Sequence, residues 1–156
     1  RLTTEHSLGL AQRALDVASS YVASGARLTA GLFTTRLGPR PEQPLELYDY
    51  EACPHSRRVR EALSMLDLDA FIRPCPKRGI RFRPALAERG GQTRVPYLVD
   101  PNSGDAMYDG AAIVEHLFQH YGRGAVPLLL RGRTFFYATS RLASAARLAR
   151  GTMAFA

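Results

Sequence analysis

A mixed α/β domain, a small sheet covered by helices, is what the order of elements in this chain calls for. Strand-like and helix-like segments follow one another between residues 45 and 121 as β-α-β-α-β-β-α, and such alternation lays helices against a sheet. The longer segments carry apolar residues at helical spacing, and the shorter ones are apolar runs bounded by turn residues. The chain has 156 residues, 46% of them apolar and 22% charged, a balance that buries a core without disulfide staples.

The elements can be justified in chain order. Leu8, Ala11, Leu15, Ala18 and Val22 recur on one face and predict a helix over residues 4–26. RLGPRPEQP, residues 36–44, holds three prolines and a glycine and reads as a linker. LELYD at 45–49 suits a short buried strand, and the loop YEACP follows. Residues 55–67 predict a helix with Val59, Ala62, Leu63 and Leu66 inward. AFIRP at 70–74 is a second strand, and a basic loop leads to a short helix near 82–89. VPYLVD at 95–100 is a third strand, PNSGD a turn, and AMY at 106–108 a fourth strand. Asp109 caps a helix over 111–121. A last amphipathic helix runs over 131–150 through Phe135, Thr139, Leu142, Ala146 and Ala149. The expected organisation is therefore an N-terminal helix and Pro-rich linker (1–44), the α/β domain (45–122) and a C-terminal helical segment (123–156).

An internal match bears on that organisation. SYVASGARLTAGLFTTR at 20–36 aligns without gaps to SRLASAARLARGTMAFA at 140–156, with seven of 17 positions identical. Ala/Arg/Ser-rich helices match by chance. The alternative is a repeated unit, a helix followed by an α/β domain, whose second copy begins near the end of this chain. The chain starts at Arg1 rather than Met, which suggests a piece of a longer protein.

Charge and cysteine content limit the function classes. The net charge is +7, and Lys77 is the single lysine. Seven basic residues lie between Arg73 and Arg94, with Glu88 the one acid among them. Such a patch attracts anions: a small carboxylate ligand, nucleic acid or an acidic membrane. It lacks interleaved aromatics beyond Phe82 and matches no nucleic-acid motif, so nucleic acid is not expected as a partner. No run of 18 apolar residues exists, so no membrane span is expected. Cys53 and Cys75 are the two cysteines and form no Cys-x-x-Cys pair. That is no secreted disulfide framework. A reducing compartment is expected: the cytoplasm, or the plastid stroma if the source is a plant.

Cys53-Pro54-His55-Ser56 carries the chemistry. It lies between a strand and a helix, which puts Cys53 at a helix N-terminus. Unpaired backbone N–H groups and the helix dipole favour a thiolate there. Pro54 suits the first helical position because it needs no N–H. Arg57 and Arg58 in the first turn add positive potential. His55 is either an imidazolium beside the thiolate or an exposed loop histidine. Ser56 stands where a dithiol motif has its second cysteine, so an internal disulfide of that kind is excluded, and its hydroxyl is a candidate donor to the thiolate. Cys75, between Pro74 and Pro76, is expected to be a buried spectator; a resolving role needs Cα atoms within ~7 Å. His116 and His120 have metal-ligand spacing on a helix. No third ligand stands close in the sequence and Glu115 completes no HExxH pattern, so a solvated helix face and no metal site are expected.

LYDYEACPHSRRVREAL resembles the start of glutaredoxins and of glutathione S-transferase N-terminal domains, members of the thioredoxin-like superfamily. Thr93-Arg94-Val95-Pro96 is similar to the superfamily's Val-Pro, where the proline is cis and faces the active cysteine. Tyr108-Asp109-Gly110-Ala111-Ala112-Ile113 resembles the acidic-Ser-x-Ala-Ile motif of the transferases, with Gly110 in place of the usual Ser or Thr. RPCPKRG resembles a feature of tandem-domain relatives in bacteria and plastids. The resemblance spans roughly residues 45–121 and implies a thioredoxin-like fold with glutathione as co-substrate. It implies Cys53 as nucleophile, the Val95 backbone before cis-Pro96 pairing with the cysteinyl unit, and Asp109 and the Gly110 N–H holding the γ-glutamyl end. Lys77 or Arg94 would hold the glycyl carboxylate. The expected activity is glutathione-linked thiol chemistry, of a monothiol glutaredoxin or transferase kind. The alternative is a non-catalytic thioredoxin-fold interaction module, partnered by a second such domain of the same protein.

Overall fold

The computed structural model describes residues 33–51 and 53–131, together with Ala18, Tyr21 and Gly25. The expected helices over 4–26 and 131–150, and the repeat pairing 20–36 with 140–156, lie largely or wholly outside those residues. Eight elements follow in order: β1 (Leu45–Asp49), α1 (Pro54–Met65), β2 (Ala70–Pro74), α2 (Arg83–Gly90), β3 (Tyr97–Asp100), β4 (Asp105–Tyr108), α3 (Gly110–Tyr121) and a single turn, α4 (Leu128–Arg131). The expected β-α-β-α-β-β-α order is present.

The four strands form one sheet in the order β2-β1-β3-β4. β1 pairs parallel with β2, with Leu45 opposite Ala70, and antiparallel with β3, with Leu47 opposite Leu98. β3 and β4 are antiparallel, joined by the turn at 101–104. The parallel pair needs a crossover, and α1 supplies it. This mixed sheet with helices on both faces is the thioredoxin-like arrangement.

Side-chain alternation along β1 explains the two layers. Leu45 and Leu47 join Leu98 on one face, beneath Val59, Ala62, Leu63 and Leu66 of α1 and Ile113, Val114, Leu117 and Phe118 of α3. Tyr48 points to the other face, where it packs with Cys75, Leu86 of α2 and Tyr97. β2 is an edge strand, and Phe71 and Ile72 on it are exposed.

The Pro-rich segment is more than a tether. Thr35 N donates to Met65 O at 2.8 Å, Gly38 N to Tyr121 O at 2.8 Å, and Arg123 N to Arg36 O at 3.0 Å. Two of those carbonyls belong to the last residues of α1 and α3, which lack intrahelical partners. Asn102 clasps the same segment, its Oδ1 accepting from Gln43 N at 2.8 Å and its Nδ2 donating to Gln43 O at 2.9 Å.

Candidate functional site

Two helix N-termini and one loop converge at one end of the sheet. Cys53 is the N-cap of α1 in extended conformation, and Pro54 opens the helix. The loop before it is tight: Cys53 N donates to Tyr50 O at 2.9 Å, and Arg57 N donates to Cys53 O at 3.1 Å as the first helical bond. Ser56 is fully buried, and its Oγ accepts from Tyr50 N at 3.4 Å. Ser56 thereby braces the loop that presents Cys53.

The Val95–Pro96 peptide is cis and immediately precedes β3. The half-buried Cys53 thiol lies 3.8 Å from the Val95 carbonyl, within reach of a weak S–H···O bond. Its partner in range is thus Val95 rather than Ser56. Asp109 caps α3, its Oδ1 accepting from Ala111 N at 2.7 Å. It does so at φ 74°, the left-handed region that L residues seldom occupy. Gly110 follows as the first residue of α3. A Cβ added there would stand 3.0 Å from the His55 carbonyl oxygen and 3.3 Å from the His55 Cβ. The starts of α1 and α3 are that close, so the positive ends of two helix dipoles lie side by side.

The remaining basic candidates lie on two loops. Lys77 is exposed on the turn after β2, and Arg94 is exposed, its Nε donating to Gln92 Oε1 at 2.8 Å. Arg83 ties these loops together, donating to Pro76 O at 2.6 Å, Cys75 O at 2.9 Å and Thr93 O at 2.9 Å. Arg57 and Arg58 differ from one another: Arg58 is only 6% exposed, on the inward side of α1. It is therefore a packed residue rather than a solvent-facing source of potential.

A buried carboxylate and a buried thiol flank this region. Asp49 ends β1 and pairs with Arg60 Nε at 3.2 Å, while Arg60 also reaches Glu51 at 2.6 Å. Burial pushes the Asp49 carboxyl up, Arg60 pulls it down less strongly, and Glu51 adds to the rise. Cys75 is fully buried, and burial likewise pushes its thiol up. Cys53 and Cys75 are both free thiols.

The glutathione S-transferase N-terminal domain family matches residues 47–127, more than half of the chain. The chain belongs to that family. No curated protein matches it. Within a glutathione S-transferase N-terminal domain, the structure places Cys53, His55, Ser56, Val95, Pro96, Asp109 and Gly110 at one end of the sheet. It also gives Gly110 a physical reason: a larger residue there would press on the His55 backbone. Among the described residues, no helix is long and apolar enough to cross a membrane.

One expectation is corrected in this glutathione S-transferase domain. His116 is not on a solvated face; it is 7% exposed and bonded through Nε2 to Asp100 Oδ2 at 2.9 Å. Asp100, fully buried, also accepts from Tyr121 Oη at 2.6 Å, Asn102 N at 2.9 Å and Asn102 Nδ2 at 3.0 Å. Burial would raise the Asp100 carboxyl, but the bonds from Tyr121, His116 and Asn102 outweigh it and hold the group well below the usual carboxylate range. Burial, and then the bond to Asp100, push the Tyr121 phenol well above its usual range. A ligand atom of Asp105, absent from the sequence-based assessment, lies with those of His116 and His120 within 4.8 Å of one another. Arg83 and Asp100 were also missed. Nothing in local sequence separates them from other loop arginines and turn aspartates.

Proposed function

We propose that this domain performs glutathione-linked thiol transfer with Cys53 as the nucleophile. One juxtaposition supports the reading: a half-buried cysteine sulfur at the start of α1, 3.8 Å from the carbonyl that precedes a cis proline. The Val95 backbone offers an edge to which an extended peptide such as glutathione can add like a strand. When the ligand's cysteinyl N–H takes the Val95 carbonyl, the Cys53 sulfur loses that partner and faces the incoming sulfur.

The reaction follows a monothiol course. The Cys53 thiolate attacks the glutathionyl sulfur of a mixed disulfide, and the S–S bond breaks. The departing thiolate takes a proton from solvent, and Cys53 is left disulfide-bonded to glutathione. A second glutathione, as thiolate, attacks that glutathionyl sulfur, releasing oxidised glutathione and the Cys53 thiolate. The net change is one mixed disulfide and one glutathione to one free thiol and one glutathione disulfide. Ser56 cannot compete as a resolving thiol. His55, when protonated, adds to the positive potential of the helix start.

Binding is divided between two ends. The Asp109 carboxylate, with Oδ1 on Ala111 N, keeps Oδ2 for an ammonium, and the Gly110 N–H meets the neighbouring carboxylate at the α3 N-terminus. Arg94 or Lys77 takes the glycyl carboxylate. The test is turnover of the mixed disulfide of glutathione and 2-mercaptoethanol. Cys53→Ser abolishes it. Asp109→Asn keeps the cap but removes the charge, so KM for glutathione rises roughly tenfold with kcat nearly unchanged, the pattern of lost ground-state binding. Turnover by Cys53→Ser at the wild-type rate defeats the proposal. It would favour the interaction-module reading, which the exposed Phe71 and Ile72 on the edge strand support.

A further inference from the structure

The geometry points to a binding site for a late first-row divalent metal ion, of the zinc class, formed by Asp105, His116 and His120. It lies away from the cysteine. Cys53, Val95 and Asp109 gather at the start of α3, whereas His120 is near its end, about 15 Å along the helix axis. The turn at 101–104 brings Asp105 across from Asp100 in the sheet, and so beside the helix face that carries both histidines.

The ring nitrogens of the two histidines are set by their neighbours. Asp100 accepts from Tyr121 Oη and from two nitrogens of Asn102, and His116 Nε2, 2.9 Å from its Oδ2, completes the set as a donor. In a neutral ring this leaves a lone pair on Nδ1, the atom 3.8 Å from Asp105 Oδ2. His120 Nδ1 lies 3.0 Å from the His116 carbonyl oxygen, which can only accept. Nδ1 of His120 therefore donates, and Nε2 carries the lone pair. Each histidine thus has its far nitrogen fixed by a carboxylate or a backbone carbonyl, the outer-shell arrangement that orients metal-binding imidazoles.

Ligand type and spacing select the ion class. Two imidazoles and one carboxylate suit zinc and its neighbours, whereas magnesium and calcium require more oxygen ligands. One side-chain ligand atom from each of the three residues lies within 4.8 Å of the other two; tetrahedral coordination at ~2.0–2.1 Å brings ligands to about 3.3 Å apart. Asp105 and His120 are exposed and can close that gap by side-chain rotation, while His116 is buried and stays fixed. Three protein ligands leave one coordination position for water or an incoming group.

The experiment is a calorimetric titration of Zn2+ into the full chain, untagged and carrying Cys53→Ser to remove the competing thiol. One equivalent binds with a micromolar dissociation constant. Asp105→Asn and His120→Ala, both at exposed positions, each weaken it at least tenfold. His6→Ala and His55→Ala, which remove the other two histidines, leave it within about twofold. Circular dichroism of each variant confirms that the fold persists. Failure to bind at millimolar Zn2+, or equal binding by the Asp105 and His120 variants, overturns the proposal. His116 would then serve only to tie the start of β4 to Asp100 and α3.

Discussion

Asp100→Ala removes the acceptor on which the turn between β3 and β4 and the C-terminal half of α3 both depend. The carboxylate is fully buried and takes bonds from the Tyr121 hydroxyl, His116 Nε2 and two nitrogens of Asn102. Hydrogen bonds to a charged group contribute about 1.5–3 kcal/mol each. Their losses do not add fully, because Asn102 lies at the surface and regains water. Tyr121 and His116 are buried and do not. Removing one partner of a buried charged cluster costs about 3–5 kcal/mol, and that is the loss expected here. In a chain of this size it lowers the melting temperature by roughly 6–20 °C. Urea unfolding followed by circular dichroism at pH 7 measures it. The pH arm has a definite sign. The folded carboxyl titrates below its unfolded value of about 3.9, so its stabilisation is complete above that pH and disappears as pH falls through the folded value. The gap between wild type and Asp100→Ala should hold at pH 5 and narrow only below about pH 4. A loss under about 1 kcal/mol at pH 7 would mean that the Asp100 cluster does not hold the turn and α3 together.

Three further outcomes follow from the geometry. Gly38→Ala would put a Cβ 2.7 Å from the Tyr121 carbonyl carbon and oxygen, so a thermal melt should show a loss of about 1–3 kcal/mol. Asp49→Asn should hold or raise the urea midpoint at pH 7, because burial raises this carboxyl and its ionisation opposes folding as pH rises through the folded value; a loss above about 1 kcal/mol would contradict it. Iodoacetamide should label Cys53 roughly tenfold or more faster than Cys75, which is fully buried with its thiol pushed up; peptide mapping against time reads both rates.

Features set by neighbours in the chain were legible in the sequence. Cys53-Pro54 announced a helix start because proline fits the first helical position. Asp109 announced a cap, and Leu45, Leu47 and Tyr48 announced a short buried strand. What escaped depends on contacts between distant segments. His116 has an ordinary polar helix position in the sequence, and only the turn carrying Asp100 and Asp105 buries it. Arg58 lies one residue from Arg57, yet helix phase turns it inward. The Pro-rich segment has a linker's composition, but the open carbonyls ending α1 and α3 and the side chain of Asn102 hold it to the domain.

Mass spectrometry of the Cys75→Ser chain after incubation with oxidised glutathione reads whether Cys53 is the reacting thiol. A one-to-one glutathionyl adduct should map to Cys53, disappear on addition of reduced glutathione, and be absent from Cys53→Ser. A folded chain whose Cys53 remains unmodified under those conditions would rule out Cys53 as the nucleophile.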